Sequence, residues 1–273
     1  MLLSNLGFIG AGRMATSLAE GFVRANLVRP EAILASDPSE SARLAFERAV
    51  PGATLYEENT PVASRAQILL LAVKPQQIDE VLALIRGVVC GESLVVSIAA
   101  GTTLAQLAQG LPPQQRIIRV MPNTPCLIGR GASCFSLGTH ATKKDAEVVS
   151  RMFSAVGAAF EVDEGLLDAV TGLSGSGPAF VYTMIEELTE GGVAAGLPPD
   201  LSSKLAALTV SGSAEMVLQT GEAPAVLRER VTSPGGTTQA GLAVLDSRGF
   251  RAAVREAVLA AARRSAELGR PTC

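Results

Sequence analysis

Three features of the chain predict an α/β protein in two parts: an N-terminal Rossmann-type parallel-sheet domain, then an all-α C-terminal dimerisation domain. Strands alternate with helices up to about Glu164, the signature of βαβ units and a largely parallel sheet. From Leu166 to Leu268 the apolar periodicity is helical throughout. A glycine turn of the form GxGxxA, Gly10-Ala-Gly12-Arg-Met-Ala15, stands between the first strand and the first helix, where a dinucleotide-binding turn belongs. The expected division is residues 1–164 for dinucleotide binding and residues 165–273 for a helical dimerisation and substrate-binding domain.

In order, Asn5–Gly10 reads as a short buried strand, and Arg13–Leu27 has the apolar spacing of a helix through Met14, Leu18 and Phe22. Ala32–Ser36 is a second strand, and Ser41–Ala49 a second helix. Gln67–Val73 is nearly all aliphatic, as a parallel strand covered on both faces must be. It runs into Lys74-Pro75 and a helix over Ile78–Ile85. Leu94–Ala99 and Arg116–Met121 repeat the strand pattern, and shorter strands at Ala132–Ser136 and Ala159–Val162 flank a helix near Lys143–Val156. In the helical half, Gly175–Pro178, Gly196–Pro199 and Ser233–Gly236 are turn or cap signals, with Pro placed to begin a helix. This half is rich in Ala, Leu and Gly and poor in aromatics. Its helices can approach closely but lack large side chains to fill a core alone, which predicts a core shared with a second copy.

At 273 residues the chain is long enough to fold without a metal or disulfide staple. Hydrophobic residues make up 48% and charged ones 18%, which excludes extensive disorder. Lys and Arg number 23 against 26 Asp and Glu, a net charge of −3; a nucleic-acid binder would carry a basic excess. No apolar run reaches the length of a membrane helix, and Met1-Leu-Leu3 lacks the basic flank of a signal peptide, so a soluble, cytoplasmic protein is expected. Cys90, Cys126, Cys134 and Cys273 are scattered, and His140 is the only histidine. A metal site or a Ser-His-Asp triad is therefore not expected.

Ligands of an open α/β sheet bind outside the carboxyl ends of the strands. That rule selects Gly10–Met14, Ala72–Pro75, Ala99–Gly101 and Met121–Pro125. Gly10 permits the tight turn, Gly12 lets backbone amides reach a pyrophosphate, and Ala15 permits close helix–sheet packing. Asp37, 25 positions after Gly12, stands where an acidic residue grips ribose hydroxyls. It equally suits the N-cap of the second helix. Ser36, Ser39 and Arg43 are close enough in sequence to receive a phosphate instead, so NADPH and NADH both stay open at this point. Lys74 suits a phosphate or carboxylate, or simply a surface helix start. Asn123 and Thr124 suit a ligand or a turn. Two further glycine-rich loops are expected at Thr171–Pro178 and Val231–Thr238. In the second, Gly235, Gly236, Thr237 and Thr238 at a helix start form a carboxylate cradle by the dipole logic of a phosphate turn, or a plain connector.

Read together, Gly7–Gly12, Ala72–Pro75, Ser97–Gly101, Arg119–Pro125, Asp168–Ala179 and Val231–Thr238 resemble the pyrroline-5-carboxylate reductase family over the whole length. The last two segments are the most specific, because Rossmann proteins in general lack them. The resemblance implies an oxidoreductase of proline biosynthesis that transfers a hydride from NADPH, or NADH, to the imine carbon of 1-pyrroline-5-carboxylate. It implies cofactor contacts at Ile9, Gly10, Ala11, Gly12, Arg13, Met14, Ser36, Asp37 and Asn59, with Ala72, Val73, Lys74, Pro75 and Ala100 beside the nicotinamide half. Ser233, Gly236, Thr237 and Thr238 would hold the substrate, and the Thr238 hydroxyl would assist at the imine nitrogen as the catalytic residue. Homodimers with interleaved helical domains, and decamers of them, are the implied assemblies. Asp37 departs from the small polar residue many relatives carry there. Two other readings compete. A β-hydroxyacid-dehydrogenase-type reductase would need a Lys in the 171–178 segment, and the only Lys beyond residue 144 is Lys204. A catalytically silent dinucleotide-binding protein would have no use for the Ser233–Thr238 loop.

Overall fold

The computed structural model describes residues 3–269; Met1, Leu2 and Cys273 lie outside them. It divides into two compact units, one running to Ser176 and resuming at Ala260, the other spanning Gly177–Leu259. The expected boundary at 164/165 falls inside the first unit, at the 3-10 turn Glu164–Leu166. There the end of the last helix returns to that unit, with Ser265 Oγ donating to Asp168 Oδ1 at 2.6 Å.

The first unit is built on strands β1 (Leu6–Ile9), β2 (Ile33–Ser36), β3 (Thr54–Tyr56), β4 (Ile68–Leu71), β5 (Leu94–Ser97), β6 (Arg116–Met121), β7 (Gly131–Leu137) and β8 (Gly157–Glu161). They form a single eight-stranded sheet in the order β3-β2-β1-β4-β5-β6-β7-β8. All neighbours are parallel except β6 and β7. Its helices are α1 (Arg13–Arg24), α2 (Glu40–Ala49), α3 (Thr60–Ala63), α4 (Ile78–Ile85), α5 (Leu104–Gly110), α6 (Lys143–Ser154) and α7 (Leu167–Val170).

Side chains alternate across a strand, and both faces of this sheet are covered. Leu6, Phe8, Ile33, Leu70 and Val96 join one core with Leu18 and Phe22 of α1 and Phe153 of α6. Ile9, Leu34, Leu69, Leu71 and Val95 join the opposite core with Ile78 and Leu82 of α4. This explains why the central strands read as unbroken apolar runs. Phe22 and Phe153 meet edge to face at 6.0 Å between ring centroids, a geometry favoured by the ring quadrupoles.

Between α7 and the next helix the chain is not the loop that its glycines suggest. Thr171–Gly175 forms a π-turn, closed by the Ser176 amide donating to Thr171 O at 2.8 Å. One extra residue per turn absorbs the glycines without breaking the helical path.

The second unit holds α8 (Gly177–Ala194), α9 (Pro199–Thr220), α10 (Pro224–Arg230) and α11 (Thr237–Ser247), with the first half of α12 (Phe250–Leu268). Helices α8 and α9 pack closely where Gly192 has no side chain; a Cβ there would run into Ser202 Oγ. Among the described residues of this unit only Ser202 and Ala206 are buried, whereas Leu208 and Leu218 are 69% and 78% exposed. A helix set with this much uncovered apolar surface has no core of its own.

Candidate functional site

The carboxyl ends of β1, β2 and β4 open onto a cleft of about 450 Å³. It lies where the strand order reverses around β1, the topological switch point at which open α/β sheets bind ligands. Gly10, Gly12, Asp37, Asn59 and Ala72 to Lys74 line it. A second cavity of about 290 Å³ shares Gly12 and Ala72 to Lys74 and adds Arg13, Met14, Pro75 and Ala100. The two run together along the strand ends from β2 to β5.

Ile9, Ala11 and Ser36 are buried behind this surface and shape it through their backbones. The Gly10 amide donates to Ser36 O at 2.8 Å, and Ser36 Oγ donates to Asn59 Oδ1 at 2.9 Å. Gly10 has φ +95°, and a Cβ there would meet Ala72 O at 2.8 Å, so the turn excludes other residues twice over. Gly12 differs: a Cβ added to it would meet nothing within 4 Å, because it borders the open cleft.

Gly12 is also the N-cap of α1, and no side chain caps this helix or places an acid in its first turn. The first intrahelical bond is Thr16 N to Gly12 O at 3.0 Å. The amides of Arg13, Met14 and Ala15 therefore lack helical acceptors and sit at the positive end of the helix dipole. Uncapped amides beside open space are a fit for a pyrophosphate. Cleft and donors together match an extended dinucleotide. Acidic groups gather toward the β2 end, where Asp37, Glu57 and Glu58 line the cleft; Lys74 lies on the β4 side.

Glu57, Glu58 and Gln77 were not legible as cleft residues. They follow β3 and Pro75, and only the pairing Ser36↔Tyr56 brings the chain after β3 to the cleft. Asn123 resolves toward structure: its Nδ2 donates to Ser174 O at 3.1 Å and its Oδ1 accepts the Ala132 amide at 2.8 Å. Cys126 packs behind Met14, with Sγ 3.5 Å from Sδ. Burial pushes the Cys126 thiol up, which keeps it protonated and unreactive. Among the described residues no group of three or more His, Cys, Asp or Glu is arranged to hold a metal, and no helix is long and apolar enough to cross a membrane.

The Ser233–Thr238 stretch belongs to the second unit. Gly235, at φ +70°, turns the chain into α11, and its amide donates to Gln239 Oε1 at 2.6 Å. The Gly236 amide donates to Ser233 O at 3.0 Å, and the first helical bond is Ala240 N to Gly236 O at 3.2 Å. The amides of Thr237, Thr238 and Gln239 thus have no acceptor in the helix. Thr238 is half-buried and Thr237 exposed. The stretch is therefore a helix end with free backbone donors and two threonine hydroxyls.

A doubly covered sheet, an uncapped glycine turn at its switch point and a coreless helical second part define a dinucleotide-binding α/β protein with a helical partner domain. The family model described as pyrroline-5-carboxylate reductase dimerisation matches residues 164–268, and one described as NADP oxidoreductase, coenzyme F420-dependent, matches residues 5–101. Pyrroline-5-carboxylate reductase of Glycine max is 47% identical over 96% of this chain and 95% of its own. That of Synechocystis is 45% identical over 97% and 98%. The chain belongs to the pyrroline-5-carboxylate reductase family. Among solved structures, the Plasmodium falciparum pyrroline carboxylate reductase with NADP bound superposes with a TM-score of 0.90 at 33% identity, covering 98% of both chains. A Coxiella burnetii pyrroline-5-carboxylate reductase gives 0.89 at 32%, covering 98% of this chain and 100% of its own.

Proposed function

We propose that the protein is an NADPH-dependent reductase that converts 1-pyrroline-5-carboxylate to L-proline. The observation that carries this reading is the match at 47% identity across 96% of the chain, which takes in both the glycine turn and the Ser233–Thr238 helix end. The amides of Gly12 to Met14 would hold the cofactor's phosphates, and Ala72 to Pro75 with Ala100 would flank its nicotinamide half. When bound, the reduced nicotinamide supplies the hydride that the imine carbon accepts.

The chain's own part is positioning and charge. Free amides of Thr237 and Thr238, with Ser233 and Gly236 around them, hold the substrate carboxylate at the positive end of α11. The Thr238 hydroxyl donates a hydrogen bond at the imine nitrogen. A threonine hydroxyl is too weak an acid to store the proton, so it orients or relays one.

The exposed apolar helices of the second unit support a homodimer in which two copies share one helical core, with decamers of such dimers as the larger assembly. Residues 1–164 then carry the cofactor and residues 165–273 the dimer contact and substrate loop, in a cytoplasmic enzyme of proline biosynthesis. NADH is the alternative reductant. The test is oxidation of NADPH and NADH, side by side, on adding pyrroline-5-carboxylate to purified protein. Rapid oxidation with proline as product is expected. Nucleotide binding without oxidation would leave a silent dinucleotide-binding protein instead.

A further inference from the structure

At the carboxyl end of β2, two side chains of opposite charge share one turn. The Asp37 carboxylate is directed into the protein's own backbone: Oδ2 accepts the Ala11 amide at 2.9 Å and Oδ1 accepts the Ser39 amide at 2.9 Å. The first of these bonds crosses from β2 to the glycine turn of β1. Arg43, inside α2, folds back over the same turn, and its Nη1 donates to Asp37 O at 2.6 Å and Pro38 O at 3.1 Å. Among the described residues no carboxylate pairs with Arg43. Both Asp37 and Pro38 line the nucleotide cleft, so the guanidinium sits within one hydrogen bond of its wall.

An acid at the end of the second strand ordinarily accepts the ribose hydroxyls and repels a 2′-phosphate. Here one amide on each oxygen fixes the plane of the carboxylate, and its charge is spread over two N–H dipoles. Arg43 needs only Nη1 for its two carbonyl contacts. Its Nε and Nη2 donors stay available, in the forked geometry that matches a phosphate. The Ser39 and Ser41 hydroxyls, 2.9 Å apart and exposed, stand at the start of the same helix.

We infer that Asp37 is a positioning residue that braces the glycine turn rather than a clamp on the ribose, and that Arg43 receives the 2′-phosphate of the dinucleotide. This rests on the reading of the cleft as a dinucleotide site. It explains how a chain with an acid at this position still takes a 2′-phosphorylated cofactor.

The test compares wild type, Arg43→Gln, Arg43→Lys and Asp37→Asn by calorimetric binding of NADPH and NADH, with thermal melting of each protein free of nucleotide. Arg43→Gln should weaken NADPH about 10- to 100-fold and leave NADH within about 2-fold, the span of one charged, forked contact. Arg43→Lys should fall between, keeping charge without the fork. Asp37→Asn replaces one acceptor by an NH2 group that must face an amide, so it should lower the melting temperature and weaken both nucleotides alike. Equal weakening of both nucleotides by Arg43→Gln would overturn the phosphate role. Loss of NADH affinity alone, with unchanged melting, in Asp37→Asn would overturn the brace. If Asp37→Asn does not fold, Asp37→Ser keeps one acceptor and decides the same question. Wild type that binds both nucleotides yet does not turn over pyrroline-5-carboxylate would remove the reductase reading and leave this one standing. Wild type that binds neither would remove both.

Discussion

Arg119 Nη1 lies 3.1 Å from Glu164 Oε1, and this pair ties the middle of the sheet to the turn that follows its last strand. Arg119 Nη2 also faces Asp168 Oδ1 at 3.8 Å. Glu164 Oε1 accepts the Leu104 amide at 2.6 Å, and Asp168 accepts from Ser265. One buried guanidinium thus organises β6, the start of α5, the 164–168 segment and the end of α12.

Arg119→Leu should therefore lower the melting temperature. Breaking a buried ion pair costs about 3–5 kcal/mol, but Glu164 and Asp168 are each about a third exposed and keep their Leu104 and Ser265 donors. Solvent screening and those donors reduce the expected cost to about 2 kcal/mol, which for a chain this size is a drop of roughly 4–8 °C. Calorimetric melting checks it. Arg119→Leu combined with Glu164→Gln and Asp168→Asn should recover part of the loss, because no unpaired charge then remains. A single variant that melts with wild type would show the network to be inert.

How far the sequence disclosed this architecture depends on element length and on register. β1, β2, β4, β5 and β6 were legible because strands covered on both faces must be apolar at every position. β3 and α3 were not. Three half-exposed strand residues, Thr54–Tyr56, and four helical ones, Thr60–Ala63, are too short to display a period. Missing β3 meant missing Glu57 and Glu58 at the cleft. The glycine turn was legible because a strand, GxGxxA and a helix occur in that order. Asn123 was ambiguous by nature, since its partners Ser174 and Ala132 are set by tertiary packing. The Thr171–Pro178 glycines look like a loop in one dimension, because nothing local distinguishes a π-turn from a break.

The apolar surface of α9 makes a second prediction. Leu201, Leu205 and Leu208 follow i, i+4, i+7 spacing along one helix face, and in the single chain they are 45%, 44% and 69% exposed. Burying the part of these three leucines that is still exposed supplies on the order of 2–5 kcal/mol for each chain. Leu205→Asp with Leu208→Asp should convert the proposed dimer to a monomer in light scattering at micromolar concentration, and activity should fall with it. A double variant that keeps the wild-type mass would place the dimer contact on another face of the helices.

The hydroxyl of Thr238 carries the last prediction. It stands second in α11, half-buried, on a helix end whose cap residue Gly236 contributes no side chain. Removing the hydroxyl leaves the Thr237 and Thr238 amides in place, so carboxylate binding should persist while alignment at the imine nitrogen is lost. Thr238→Ala should lower kcat about 10- to 100-fold with KM for pyrroline-5-carboxylate changed less than about 3-fold, the pattern of an interaction strongest in the transition state. Thr238→Ser, which restores the hydroxyl without the methyl group, should recover most of the rate. Single-turnover measurements at several pH values then separate the two roles. If Thr238 only orients, the alanine variant keeps the wild-type pH profile at reduced height. If it relays a proton, the loss deepens as pH rises, because fewer substrate molecules arrive already protonated. Undiminished turnover in Thr238→Ala would remove the residue from the mechanism and leave the helix end as a binding cradle alone.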